Sequence, residues 1–321
     1  MKIFFGLLLL MVSLNGCDDG DLILETIDFD DATTQSCSTN NILYRLNEKE
    51  ALLLEIEKSV FKNEPTPIGK PIEITISSTN RVLYRFYNGK VATDNICETI
   101  PPATPIVVDQ WTATGGTIQI FTTAIKTTNA TTNSTKITGY NHNIIFKNIT
   151  FSRANGTQVY EIFSFGNYVI ADTKTTIPFT FDETLEKCTA NTPNLLYNYN
   201  SNEALTLNID PSLLINEVTP LNAPRIGVLS DSSNVLKYRL YAGLLPIGYF
   251  CNSTIPTTPT VDQEWSAVAG ITNTSGVIEV TTTTSGTGYK HTIVLKKVTL
   301  QKGTNDFYLG DSFVYGEIVT N

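Results

Sequence analysis

Residues 41–67 read NILYRLNEKEALLLEIEKSVFKNEPTP, and residues 194–220, at a constant offset of 153, read NLLYNYNSNEALTLNIDPSLLINEVTP. Taken alone, the first copy misleads, because NEKEALLLEIEK at 47–58 is built from strong helix formers. The second copy does not: Leu205, Leu207 and Ile209 alternate with Thr206 and Asn208, the period of two that marks a half-buried strand. Two segments that share so much sequence should fold alike, so Leu52, Leu54 and Ile56 are read as the same strand. Turns at Asn47-Glu48 and Asn200-Ser201 then make each segment a β-hairpin.

The correspondence extends outward on both sides. FDDATTQSC (29–37) answers to FDETLEKC (181–188), VLYRFYNG (82–89) to VLKYRLYAG (235–243), Cys97 to Cys251, Trp111 to Trp265, and GYNHNI (139–144) to GYKHTI (288–293). A duplication of this period divides the 321 residues into two units of ordinary domain size and is far too long for a solenoid repeat. No segment shows helical periodicity in both copies, and the prolines Pro65, Pro67, Pro71, Pro211, Pro220 and Pro224 fall where connecting loops are needed. The expectation is an all-β protein: two tandem, homologous antiparallel β-sandwich domains, immunoglobulin-like or similar, over residues 22–171 and 172–321. Each would hold eight or nine short strands, with residues 22–29 supplying the first and a linker near residues 171–176. The Thr- and Asn-rich stretch 127–135 is found only in the first copy and is expected to be a solvent-facing hairpin tip.

Composition agrees with β structure, with 41% apolar and only 17% charged residues. A formal net charge of −9 without a basic cluster excludes nucleic acid as an expected partner, since a phosphate backbone would be repelled.

At the N-terminus, Met1-Lys2 precedes a short apolar run at 3–14, the length of a signal-peptide core and too short to span a bilayer. Leu14-Asn15-Gly16-Cys17 resembles a bacterial lipobox, and Asp18, Asp19 and Asp21 behind it resemble the surface-export signal of Bacteroidota lipoproteins. The resemblance implies a lipoprotein signal peptide at residues 1–16, a lipid on Cys17, an acidic tether at residues 17–21 and an outer-membrane location facing the exterior. Several acyl chains on one cysteine, at roughly 0.8 kcal/mol per buried CH₂, would anchor such a protein stably.

With Cys17 set aside, four cysteines remain, one pair per copy. A unit that duplicated with its bridge intact carries it within each copy, so Cys37 is expected to pair with Cys97 and Cys188 with Cys251. No CxxC pair or nearby histidine suggests zinc, and neither a metal nor a cofactor is expected. His142 and His291 hold the same place in the two copies. Alternation puts His291 on the apolar face with Tyr289, Ile293 and Leu295, where a hydrogen-bonded core histidine is the expectation. The carboxylates kept in both copies are Glu50 with Glu203, Glu64 with Glu217, and the acidic turns Asp30-Asp31 and Asp182-Glu183. Structural roles are expected of them, although a carboxylate-based hydrolase needs only two placed acids. Trp111 and Trp265 follow Pro- and Thr-rich loops, as plugs at the end of a core or as candidate platforms for a sugar ring.

The expected function is therefore non-enzymatic: a membrane-anchored binding or adhesion module, with a glycan as candidate ligand at Trp111 and Trp265. The alternative is a structural subunit of an outer-membrane protein complex.

Overall fold

The computed structural model describes residues 27–153, 156–171, 177–188 and 194–321. The signal peptide, Cys17, the acidic tether, most of the first predicted strand and residues 172–176 of the predicted linker lie outside the described residues. The described chain is all-β, with every sheet antiparallel and only single helical turns, such as Lys58–Val60 and Asp94–Cys97, between strands.

The two deciding stretches are hairpins in the same register. Strands β2 (Ile42–Asn47) and β3 (Glu50–Glu55) pair Leu43 with Leu54 and Asn47 with Glu50. Strands β10 (Leu195–Asn200) and β11 (Glu203–Asn208) pair Leu196 with Leu207 and Asn200 with Glu203. Both turns are two residues long and place a non-glycine residue at positive φ, Glu48 at 47° and Ser201 at 56°. That geometry matches the right-handed twist of the flanking strands. Leu52, Leu54, Ile56, Leu205, Leu207 and Ile209 are all buried, so burial against the rest of the sheet overrides the helix propensity of 47–58.

In the second half, one sheet runs in the order β18 (Asn305–Tyr308), β17 (Thr299–Lys302), β14 (Val261–Ala267), β13 (Val235–Tyr241), β11, β10 and β9 (Glu186–Lys187), and a second runs β12 (Arg225–Val228), β15 (Val277–Ser285), β16 (Gly288–Lys296) and β19 (Phe313–Thr320). Leu205 and Trp265 from the first and Ile278, Val280, Ile293 and Leu295 from the second meet in one apolar cluster, an arrangement consistent with a β-sandwich. The first half uses the same pairings with fewer interruptions. Three long strands, β6 (Val107–Thr128), β7 (Thr135–Arg153) and β8 (Gly156–Ala171), run through what are separate strands in the second half. The first part of β6 pairs with β5 (Arg81–Tyr87), as Trp111 opposite Tyr84, and its later part pairs with β4 (Ile72–Thr75), as Ile120 opposite Ile72.

Between those parts the register shifts twice, around Gly115. Gly116 has φ of 121°, and a Cβ there would lie 2.8 Å from the Ile149 Cα, so only glycine lets the strand bend over its neighbour. In the second half the equivalent span is cut into β14 (Val261–Ala267) and β15 (Val277–Ser285), with a tight turn at Ile271–Ser275 between them. Among the described residues the first half thus holds eight strands, β1 (Gln35–Ser36) to β8, as expected in number but with three far longer than expected, and the second half holds eleven, more than the eight or nine expected. The long strands of the first half pass from one side to the other by bulges instead of loops.

The 127–135 tip is a hairpin tip with residues 127–133 exposed, as expected, and it also reaches the second half. The Asn133 amide donates to Asp311 Oδ2 at 2.7 Å, the Asp311 N–H donates to the Thr132 carbonyl at 3.0 Å, and the Tyr308 N–H donates to Thr135 Oγ1 at 2.8 Å. Lys126 pairs with Asp306 at 2.8 Å. Deeper in, Asn305 accepts the Tyr140 hydroxyl at 3.1 Å and donates to the Asn63 carbonyl at 3.0 Å.

Candidate functional site

Between this contact and the start of the second half lies a cleft of about 620 Å³. Its apolar lining comes from three separate parts of the chain: Ile137 and Tyr140 on β7, Ile177, Phe179 and Phe181 ahead of β9 (Glu186–Lys187), and Trp265, Phe307, Leu309 and Phe313 from the second half. Asn129, Ser134, Lys136, Asp182, Glu183, Gln263 and Lys302 supply polar groups around it. Phe179 is the hub of the aromatic wall, with ring centroids 5.4 Å from Tyr238, 5.8 Å from Phe307 and 5.5 Å from Phe313.

A buried carboxylate fixes Phe179 in place. Glu203 is 1% exposed and accepts four hydrogen bonds, from the Phe179 N–H and Thr180 N–H at 2.8 Å, the Thr180 hydroxyl at 3.0 Å and the Tyr238 hydroxyl at 2.9 Å. Desolvation and the adjacent Glu203 carboxylate both push the Tyr238 phenol upward, which keeps it a donor.

The same corner of the first half is filled. By register, Phe151 occupies the position of Leu300, each opposite an alanine two residues beyond the tryptophan. Tyr160, opposite Ile149, answers to Leu309, whose N–H bonds the Val298 carbonyl. Phe151 and Tyr160 pack edge-on, 6.2 Å apart, and Phe151 lies 6.4 Å from Trp111, whereas leucines in the second half leave volume beside Trp265.

The two tryptophans sit on strands, not on loops. Trp111 is 0% exposed, with the Arg153 guanidinium 4.9 Å from its ring centroid, and its N–H donates to Asp109 at 2.8 Å. Its ring is therefore enclosed by its own half, and the expectation of a sugar platform there is corrected. Trp265 is 3% exposed, donates to Gln263 at 3.1 Å, and forms part of the cleft wall. In both cases the hydrogen-bond acceptor stands two residues earlier, on the same face of the strand. Val107, Val108 and Val261 precede these residues but are exposed, which is why the segments read as loops.

Both histidines are fully buried. Nδ1 lies 2.8 Å from the Thr122 hydroxyl in His142 and 2.8 Å from the Thr282 hydroxyl in His291. Burial lowers the His142 pKa to about 4, and burial together with Arg225 and Lys187 lowers that of His291. The Nε2 of His291 meets Thr320 at 2.9 Å and Asn216 at 3.3 Å; that of His142 is buried with no hydrogen-bond partner among the described residues.

Of the acids at matching positions in the two halves, Glu50 accepts the Tyr84 hydroxyl at 2.5 Å, Asp182 and Glu183 line the cleft, and Glu64 and Glu217 are exposed. Cys37 is bonded to Cys97 and Cys188 to Cys251. Among the described residues no group of three or more His, Cys, Asp or Glu side chains is placed to hold a metal ion, and no helix is long and apolar enough to cross a membrane. Comparison with known protein families, with curated proteins and with solved structures finds no match.

Proposed function

We propose that this chain is a non-catalytic binding module: two β-sandwiches descended from one duplicated unit, held at the outer membrane through Cys17 and facing the exterior. Its ligand seat is the cleft beside Trp265. The cleft carries the proposal, because it is concave, has an aromatic and aliphatic wall with convergent polar groups at its edge, and lies between two units, where small-molecule sites concentrate. Matched hairpin registers, matched disulfides and matched buried histidines support the duplication. The filled corner around Trp111 supports a single such site, beside Trp265.

Trp111 and Trp265 are the only tryptophans, so Trp111→Phe leaves one emitter, at the cleft. Oligosaccharides, as the first ligand class to screen, should give a saturable change in that emission, weakened at least tenfold by Lys302→Ala or Glu183→Ala on the rim. A flat response across oligosaccharides and apolar small molecules alike would sink the proposal.

A further inference from the structure

The second half carries an uncharged, aliphatic loop tip where the first half carries a charged one, and we propose that this tip makes a shallow contact with a zwitterionic lipid surface. The two loops are the same piece of architecture. Each leaves the first long hairpin's partner strand, β5 or β13 (Val235–Tyr241), and returns to the sheet through a disulfide-bonded cysteine. Each is pinned at the same point, by the Val91 N–H on the Glu48 carbonyl at 2.9 Å and by the Leu245 N–H on the Ser201 carbonyl at 2.8 Å.

Counting back from Cys97 and Cys251, Lys90 answers to Leu244, Thr93 to Ile247 and Asp94 to Gly248; one residue past the cysteine, Glu98 answers to Asn252. All three charged positions of the first loop are thus neutral in the second, and residues 242–261 contain no Asp, Glu, Lys or Arg. Leu244 is 74% and Ile247 94% exposed, whereas Leu245, Tyr249 and Phe250 point inward and are buried. The Tyr249 hydroxyl donates to the Pro256 carbonyl at 2.6 Å and braces the returning loop, whose Ile255 is also exposed. In the first loop Lys90 lies 3.7 Å from Glu48, an exposed ion pair suited to water.

The chemistry selects a bilayer over a protein partner. Protein recognition surfaces concentrate exposed aromatics and arginine within a polar, charged rim, and this tip exposes aliphatic side chains while turning its aromatics inward. A lipid interface asks for apolar side chains that protrude and for charge to be absent, since charge is costly to desolvate. The net charge of −9 weighs against anionic headgroups and in favour of zwitterionic ones.

The test uses the chain from Asp18 onward, which keeps every described residue and carries no lipid, in flotation with phosphatidylcholine vesicles. Leu244→Asp with Ile247→Asp should cut the floated fraction at least tenfold, and Thr93→Asp in the first loop should leave it unchanged. Lys90→Leu with Thr93→Ile should raise it. Thermal melts monitored by circular dichroism confirm that each variant folds, and both second-loop side chains already lie outside the core. Absence of flotation by the parent protein, or equal flotation by the Leu244/Ile247 variant, overturns the proposal. So does capture of the tip by a protein partner with no vesicle binding.

Discussion

Asn133, at the tip of the β6–β7 hairpin, donates its side-chain amide to Asp311 of the second half at 2.7 Å. This bond and the Tyr308 hydroxyl hold the Asp311 carboxyl below its ordinary range, so the contact is made by a charged acceptor. The corresponding hairpin of the second half closes in a short turn at Gly286, where a Cβ would meet nothing within 4 Å among the described residues.

Shortening the tip to that form, by removing residues 129–134 and joining Thr128 to Thr135 through Gly-Thr, should therefore loosen one half from the other while both stay folded. Amide exchange at Tyr308 and Asp311, whose N–H groups now bond Thr135 and Thr132, should quicken at least tenfold. Unchanged exchange at both amides would show that the tip does not hold the halves together.

Acid should destabilise the first half through His142. Its folded pKa of about 4 lies below the unfolded value near 6.5, so the unfolded chain takes up a proton first. The stability in question is complete above pH 6.5 and is lost as pH falls towards 4, by on the order of 2 to 3 kcal/mol. Urea titrations of the parent and of His142→Asn between pH 7 and 4 should show a shallower pH slope in the variant.

Glu203→Ala should cost about 3 to 5 kcal/mol, because it strands two backbone N–H groups and the Tyr238 hydroxyl in a buried place. It should also perturb the cleft by releasing Phe179. The matching Glu50→Ala in the first half, at a half-buried position, should cost less than half as much by the same denaturation measurement.

Opening either disulfide by paired Cys→Ser substitution should lower stability by about 4 kcal/mol, the chain-entropy value for loops spanning 60 or 63 residues. Each pair should act on its own half. Equal loss in both halves from one pair would mean that the halves unfold as a unit.

The hairpins were legible in the sequence because Thr206 and Asn208 interrupt the leucines cleanly, whereas in the other copy Leu53 stands at the place of Thr206 and blurs the same pattern. The cysteine pairs followed from the repeat itself. The cleft was not legible, since Tyr140, Phe179, Trp265 and Phe307 meet only through tertiary packing. Nor was the role of residues 127–135, because polar side chains look alike whether they face water or the polar surface of a neighbouring unit. The tryptophans were misplaced for a definite reason: the exposed valines before them hid a strand, while Asp109 and Gln263, two residues upstream, were the overlooked sign of one.

The bend at Gly116 bears on how the first half assembles. Because β6, β7 and β8 follow one another within one sheet, each pairs with its neighbour in the chain, and each new pair forms next to one already made. Such local zippering keeps the entropic cost of closure small, whereas the second half must leave one sheet, turn at Ile271–Ser275 and pair again in another. The first half should thus be able to form its extended hairpin as one continuous zipper, ready to receive the second half.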